Sequence, residues 1–414
     1  MIIRLDKLYL TKYILLIYSI LPAFTKIFGI SLFNAFYIPL LALLYWIYRK
    51  QRMSLYRVDI PFLLMFSITI AYIPISIFIL HTASLTSVGF GIFMFLLPMT
   101  GYFLSRLINI NIFAQSVIFV GLVHAVLGIL MYGFIQFPSS VQELIERIKY
   151  GTMAFRMSSV SGSLGLGALM LVSLPFALEM LLKNKTKINI LFILLLLFAL
   201  IMTMQRSAWL GFGLYIILII IYIQLKANSK FAKRNIYLFL FALAGTVAVI
   251  PQFIDINTLE FISSRINSML FTENVFNPVA ERNSMWLGGI QNFTQVPTGI
   301  GLGTTGQAAR VGEFVSSFHF IPDGDYFRIL SELGISALFF YLYLFSFILI
   351  WFLNLRNMSI ERFSVYLVVF GLSINMIGSN TTEFHFVNFL YWMSLGYLFD
   401  KNLVRGNNAF IYTR

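Results

Sequence analysis

The chain has 414 residues, of which 59% are hydrophobic and 11% charged, with a mean hydropathy of +0.86 and a formal net charge of +13. A soluble domain carries roughly a quarter charged residues, so the polar surface here is too small to cover a water-soluble globule. Cysteine is absent, which excludes disulfides and thiolate metal sites.

Apolar runs near the length that crosses about 30 Å of hydrocarbon as a helix recur along the whole sequence. They lack the period-two alternation of a membrane barrel, so helices remain as the way to satisfy the backbone inside a bilayer. The expected fold class is an all-α polytopic membrane protein with about twelve spans. In chain order the spans are about 13–30, 31–48, 60–80, 86–104, 112–135, 162–182, 188–204, 208–225, 236–253, 329–353, 363–379 and 385–399. Arg4, Lys7 and Lys12 precede the first run, and no clean small-residue cleavage site follows, so this run reads as a retained span. With the N-terminus inside and the sides alternating, 20 of the 29 Lys and Arg residues fall on the cytoplasmic side. The positive-inside bias therefore predicts both termini in the cytoplasm. It also accounts for the net charge without a nucleic-acid partner.

Two outer-face loops stand out in a single membrane domain: a shorter one over 136–161 and a long one over 254–328. A structureless connection as long as the second is uncommon without a role, and it holds amphipathic pieces at 259–270 and 280–293. Three arginines lie on this outer side: Arg156 in the shorter loop, Arg206 in Gln205-Arg-Ser-Ala-Trp209 between two spans, and Arg282 in Glu281-Arg-Asn-Ser-Met-Trp286. Arginine presents a planar fork of donors matched to phosphate and stays charged at any working pH. The plainer alternative is an interfacial residue snorkelling to lipid headgroups. Downstream, Pro297-Thr-Gly-Ile-Gly-Leu-Gly303 reads as a tight structural loop ahead of an anion nest. It is neither a Walker loop nor a dinucleotide fingerprint. The segment from Phe318 to Gly334 concentrates His319, Asp323, Asp325, Arg328 and Glu332 at a membrane boundary, which marks a candidate site. The alternative there is that Asp323 caps a helix and Asp325 sits in its first turn. His81 and His124 lie among apolar residues and read as core or helix-end positions, and no zinc-ligand spacing occurs.

The order of these motifs resembles the O-antigen ligase / O-antigen polymerase superfamily of bacterial membrane glycosyltransferases. The resemblance is carried by about 200–340: Gln-Arg-Ser-Ala-Trp at a helix start, Arg-x-x-x-Trp in a long outer loop, Pro-Thr-Gly-Ile-Gly-Leu-Gly, then an acidic segment running into Ser-Glu-Leu-Gly. It implies a twelve-helix fold of the GT-C type, needing neither metal nor nucleotide cofactor. It implies transfer of glycan from an undecaprenyl-pyrophosphate carrier on the outer face, with Arg206 and Arg282 on the pyrophosphate and Arg156 as a further candidate. The partners implied are lipid-linked oligosaccharide, membrane lipids and a chain-length regulator. Ligases carry His-Asn nine residues before the Glu of their Glu-x-Gly element, whereas Asp323-Gly324 stands there in this chain. That departure points to the polymerase branch, with Asp323 ahead of His319 and Asp325 as the acceptor base. The alternatives are a ligase acting on lipid A-core and, from another class, a transporter or flippase of lipid-linked sugars. Transporters carry mid-membrane breaks and ionisable groups along a path, whereas the charges here gather at outer-face ends.

Overall fold

The computed structural model describes residues 6–28, 36–132 apart from 52, 54 and 82, then 138, 139, 142, 143 and 145, 156–226 apart from 161 and 185, then 260, 278–311, 318, 321, 323–381 and 384–400. Among these residues every regular element is a helix, as the apolar runs require. The spans are α1 (Lys7–Phe28), α2 (Tyr37–Tyr48), α3 (Ile60–Pro74, continued by a π-helical turn at Ile75–Ile79), α4 (Leu85–Gly91), α5 (Leu97–Leu104), α6 (Ile110–Tyr132), α7 (Gly162–Lys183), α8 (Lys187–Met202) and α9 (Arg206–Leu225). After them come α10 (Pro278–Gln295), the short α11 (Gly306–Val311), α12 (Asp325–Leu333), α13 (Ile335–Leu353), α14 (Ile360–Gly378) and α15 (His385–Leu398). Among the described residues seven helices are long and apolar enough to cross a membrane: Arg57–Ile79, Leu85–Leu104, Ile110–Tyr132, Gly162–Lys183, Arg206–Leu225, Ile335–Leu353 and Ile360–Gly378.

Three expected spans differ in detail. The run 31–48 yields only the twelve-residue helix α2 among the described residues. The run 86–104 is α4 and α5 joined by a π-helical turn at Ile92–Leu96. The run 329–353 breaks at Gly334, which takes φ 58°, so the span proper begins at Ile335. The expected span 236–253 lies outside the described residues, as does the piece 259–270 apart from Glu260, whereas the piece 280–293 is α10.

Burial separates the helices into a centre and a lipid-facing rim. Every residue of α15 and nearly all of α7 is buried, so an all-round apolar sequence is here a central helix. Helices α3 and α13 instead turn Leu64, Phe339, Leu342, Leu349 and Leu353 outward, where hydrocarbon is the partner. Small residues bring the central backbones together. A Cβ on Gly101 of α5 would stand 2.7 Å from the Phe389 carbonyl oxygen of α15, and one on Gly396 of α15 would run into Ser105 and the Tyr102 carbonyl.

The two ends of the bundle carry different chemistry. At one end the start of α1 meets the end of α2 (Thr11 Oγ1 to Tyr48 Oη, 2.8 Å), and Lys183 at the end of α7 reaches Glu361 at the start of α14 (2.6 Å). There Arg106 is buried between Asp59 (2.7 Å) and Asp400 (3.6 Å), tying the end of α5 to the start of α3 and the end of α15. The opposite end carries Arg156, Arg206 and the glycine-rich loop.

Candidate active site at the arginine-bearing end

The site is built around one tight turn. Helix α8 stops at Met202, Met204 takes φ 51°, and α9 begins at Arg206. Two neighbours lock the turn. Gln205 is buried, and its Nε2 donates to Asn375 Oδ1 (3.1 Å) and Ser379 Oγ (3.4 Å) at the end of α14. Trp209 Nε1 donates back to the Leu200 carbonyl (3.2 Å). Arg206 is left half-buried in the first helical position. A cation there is opposed by the helix dipole by about 0.3–1 kcal/mol, and an anion brought to the same point is favoured by both.

Arg156 belongs to the same neighbourhood. The Met157 amide donates to the Met202 carbonyl (2.9 Å), so residues 156–160 run alongside the turn that leads into Arg206. Arg156 itself is half-buried, whereas Met157 is fully buried.

Arg282 lies in α10, one helical turn before Trp286. Trp286 stacks on Phe327 of α12 (centroids 5.3 Å apart, planes 14° apart). Gly324 takes φ 96°, and a Cβ there would stand 2.8 Å from Trp286 Nε1, so only glycine fits under the indole. Asn292 Nδ2 donates to Ser331 Oγ (2.9 Å) further along the same pair of helices. The Arg-x-x-x-Trp motif thus contains the anchor that docks its own helix onto α12.

The acidic segment divides by burial. Asp323 is half-buried and directly precedes Gly324. The N-cap position of α12 is Gly324, one residue after Asp323. Asp325 does sit in the first turn, fully buried, 3.4 Å from Arg328 Nη2. Arg328 also stands 3.6 Å from Glu332, which accepts from the Thr305 amide (3.2 Å) and hydroxyl (2.9 Å). Burial pushes the Glu332 carboxyl above the usual carboxylate range, against the lowering effect of Arg328 and the Thr305 bonds. Tyr326 Oη donates to the Ser373 carbonyl (2.9 Å), which fixes the start of α12 on α14 two residues from the Asn375 that holds Gln205. His319 lies outside the described residues. Among the described residues no group of three His, Asp or Glu side chains is placed to share a metal ion.

The glycine-rich loop supports this assembly. Its amides are already used: Gly299 on Val296 O (2.8 Å), Ile300 on Ser331 O (2.9 Å), Gly301 on Glu332 O (3.1 Å) and Leu302 on Ser76 Oγ of α3 (2.9 Å). Gly303 takes φ 77°, and a Cβ there would overlap the Ser87 carbonyl of α4. Changing Gly303→Ala is therefore expected to lower stability by about 1–3 kcal/mol, as for strained backbone. In detergent this reads as a melting midpoint several degrees below wild type, and an unchanged midpoint would mean that the loop is not seated as described.

Sequence reasoning missed Asn375, Ser379 and Thr381, which bind one another and Gln205. The available signal was a run of small polar residues closing an otherwise apolar span. It also left His124 as a core residue, and the structure shows it buried and bonded at both ring nitrogens.

Residues 191–342 match the family described as O-antigen ligase. No curated protein and no solved structure matches the chain. The matched segment runs from α8 through α12 into α13, and so includes Arg206, Arg282 and Asp323.

Proposed function

We propose that this chain, a multi-pass membrane protein whose residues 191–342 carry an O-antigen ligase family domain, is a polysaccharide polymerase of that superfamily. In this reading it moves glycan from undecaprenyl pyrophosphate onto a second lipid-linked repeat unit, at the outer face of the cytoplasmic membrane. The supporting observation is a convergence on the last turns of α14. Gln205, which precedes Arg206, binds Asn375 there, and Tyr326 of α12 binds Ser373, with Arg156 joined through Met157 and Arg282 through the Trp286 stack. Three cations and a half-buried carboxylate thus belong to one end of the bundle, though they come from segments far apart in sequence.

That set suits cleavage of a sugar–diphosphate bond. The leaving group is a multiply charged diphosphate, and fixed guanidinium groups stabilise the charge as the bond breaks. The energy lies in that bond, so the chemistry needs no nucleotide. Asp323 takes the proton of the acceptor hydroxyl as it attacks the anomeric carbon. The chain-length regulator remains the protein partner that the family resemblance suggests.

The direct test supplies purified protein with lipid-linked repeat units as both donor and acceptor. A ladder of products with release of undecaprenyl pyrophosphate is expected. Transfer to lipid A-core without self-extension would instead favour the ligase reading, and movement of intact donor across a vesicle membrane without bond cleavage the flippase. Sidedness has its own test. A fusion after residue 300 is expected to be alkaline-phosphatase active and non-fluorescent with green fluorescent protein. The opposite pattern would overturn the orientation and the mechanism with it.

A further inference from the structure

We propose that His124 is a positioning residue for Arg156: its hydrogen bond to Ser159 fastens residues 156–160 to α6 and holds Arg156 beside the Met202–Arg206 turn, while Ser19 of α1 sets which ring nitrogen is left to accept. The proposal rests on the reading that Arg156 contacts the donor diphosphate.

His124 lies in α6 with no exposed surface. Its Nδ1 stands 2.9 Å from Ser159 Oγ and its Nε2 2.9 Å from Ser19 Oγ of α1. The direction of these bonds follows from Ser19. That hydroxyl donates its single proton to the Leu16 carbonyl (2.7 Å), so it accepts from Nε2–H. Nδ1 is then bare and accepts from the Ser159 hydroxyl. The result is one directional chain from Ser159 through the imidazole to Ser19 and Leu16, crossing from the loop to α1.

One turn further along α6, Gly128 completes the seat. A Cβ there would stand 3.2 Å from Met157 Cγ and 3.1 Å from Leu166 Cδ2, so its absence is what lets Met157 settle against the helix. The segment is pinned at Ser159 by His124 and at Met157 by the Met202 carbonyl, and Arg156 is the next residue.

The chemistry of the ring distinguishes positioning from packing. Asparagine places a carbonyl oxygen where Nδ1 was, one bond from Cγ, and can still accept from Ser159. Glutamine places its amide nitrogen in the manner of Nε2 and serves Ser19 instead. A residue needed only to fill the core would favour glutamine, the nearer of the two to histidine in volume, so the opposite order reports the hydrogen bond.

The test uses the full-length chain, which has no native cysteine. Ser158 is buried and its hydroxyl has no hydrogen-bond partner, so Ser158→Cys gives a reporter beside the pinned residues. Labelling by a membrane-impermeant maleimide requires the segment to open. Loss of the Ser159–His124 bond should speed labelling about fivefold or more. That acceleration is expected in Ser159→Ala and His124→Gln, with His124→Asn and Ser19→Ala close to the parent. Affinity for undecaprenyl pyrophosphate should fall about fivefold in the first pair. Equal labelling in all variants, or equal acceleration by His124→Asn and His124→Gln, would overturn the proposal. Weakened binding in Arg156→Ala beside unchanged binding in Ser159→Ala and His124→Gln would overturn it too. Unchanged binding in Arg156→Ala would remove the diphosphate role of Arg156 and the proposal with it, while the labelling rates would still report whether His124 holds the segment.

Discussion

Replacing Arg206 or Arg282 by alanine is expected to abolish polymer formation while each protein remains in the membrane. At both positions neighbouring side chains hold the backbone. The turn at Arg206 is held by Gln205 on α14 and by Trp209 on the Leu200 carbonyl, so truncating the arginine leaves those locks in place. Helix α10 is docked by Trp286 on Phe327 and by Asn292 on Ser331. Loss of one charge-assisted phosphate contact in a partly desolvated site costs on the order of 2–4 kcal/mol, or about a hundredfold or more in rate. Arg→Lys should rescue only in part, because a point charge replaces the bidentate fork. Membrane abundance and glycan ladders, scored together, check the prediction. Wild-type ladders from both alanine variants would sink the assignment of the diphosphate site.

How much of this was legible beforehand varies from motif to motif, for physical reasons. Hydropathy alone located most of the spans among the described residues, since a run long enough to cross hydrocarbon has few other uses. The same reasoning ran through Gly334 without seeing the break, because Ile329, Leu330 and Leu333 keep the window apolar across a change of backbone conformation. The amphipathic piece at 280–293 announced a helix, and α10 is that helix. Its periodicity said nothing of Trp286 sitting over Gly324, which depends on an approach between segments. Glu332 drew notice as a charge at a membrane boundary, and its task is to hold Thr305 of the glycine-rich loop. The glycines read correctly as a turn, because positive φ is a local property. Gln205 and Asn375 are 170 residues apart, and no local pattern pairs them. The same holds for His124 and Ser159, where one buried imidazole joins a helix to a loop.

Asp323→Asn is expected to lose turnover while retaining donor binding. The acceptor hydroxyl must give up a proton as it attacks the anomeric carbon, so a base must come within hydrogen-bond reach of it. On the proposed reading the donor diphosphate is tethered by its lipid, which restricts that base to the membrane surface near Arg206 and Arg282. Of the two aspartates in this segment, Asp325 is fully buried and faces Arg328, whereas Asp323 is half-buried at the step before α12. Gly324, wedged under Trp286, fixes the backbone immediately after Asp323. A general base contributes about 10²–10⁴ in rate, and asparagine keeps the shape while removing that capacity. Asp325→Asn should behave differently, costing about 1–3 kcal/mol of stability, because Arg328 loses one of its two buried carboxylate partners and keeps Glu332. His319→Ala should be milder than Asp323→Asn. The measurement is turnover of purified lipid-linked repeat units beside equilibrium binding of the same donor for each variant. If His319→Ala is inactive and Asp323→Asn turns over normally, Asp323 is not the base, and transfer to lipid A-core becomes the reading to pursue.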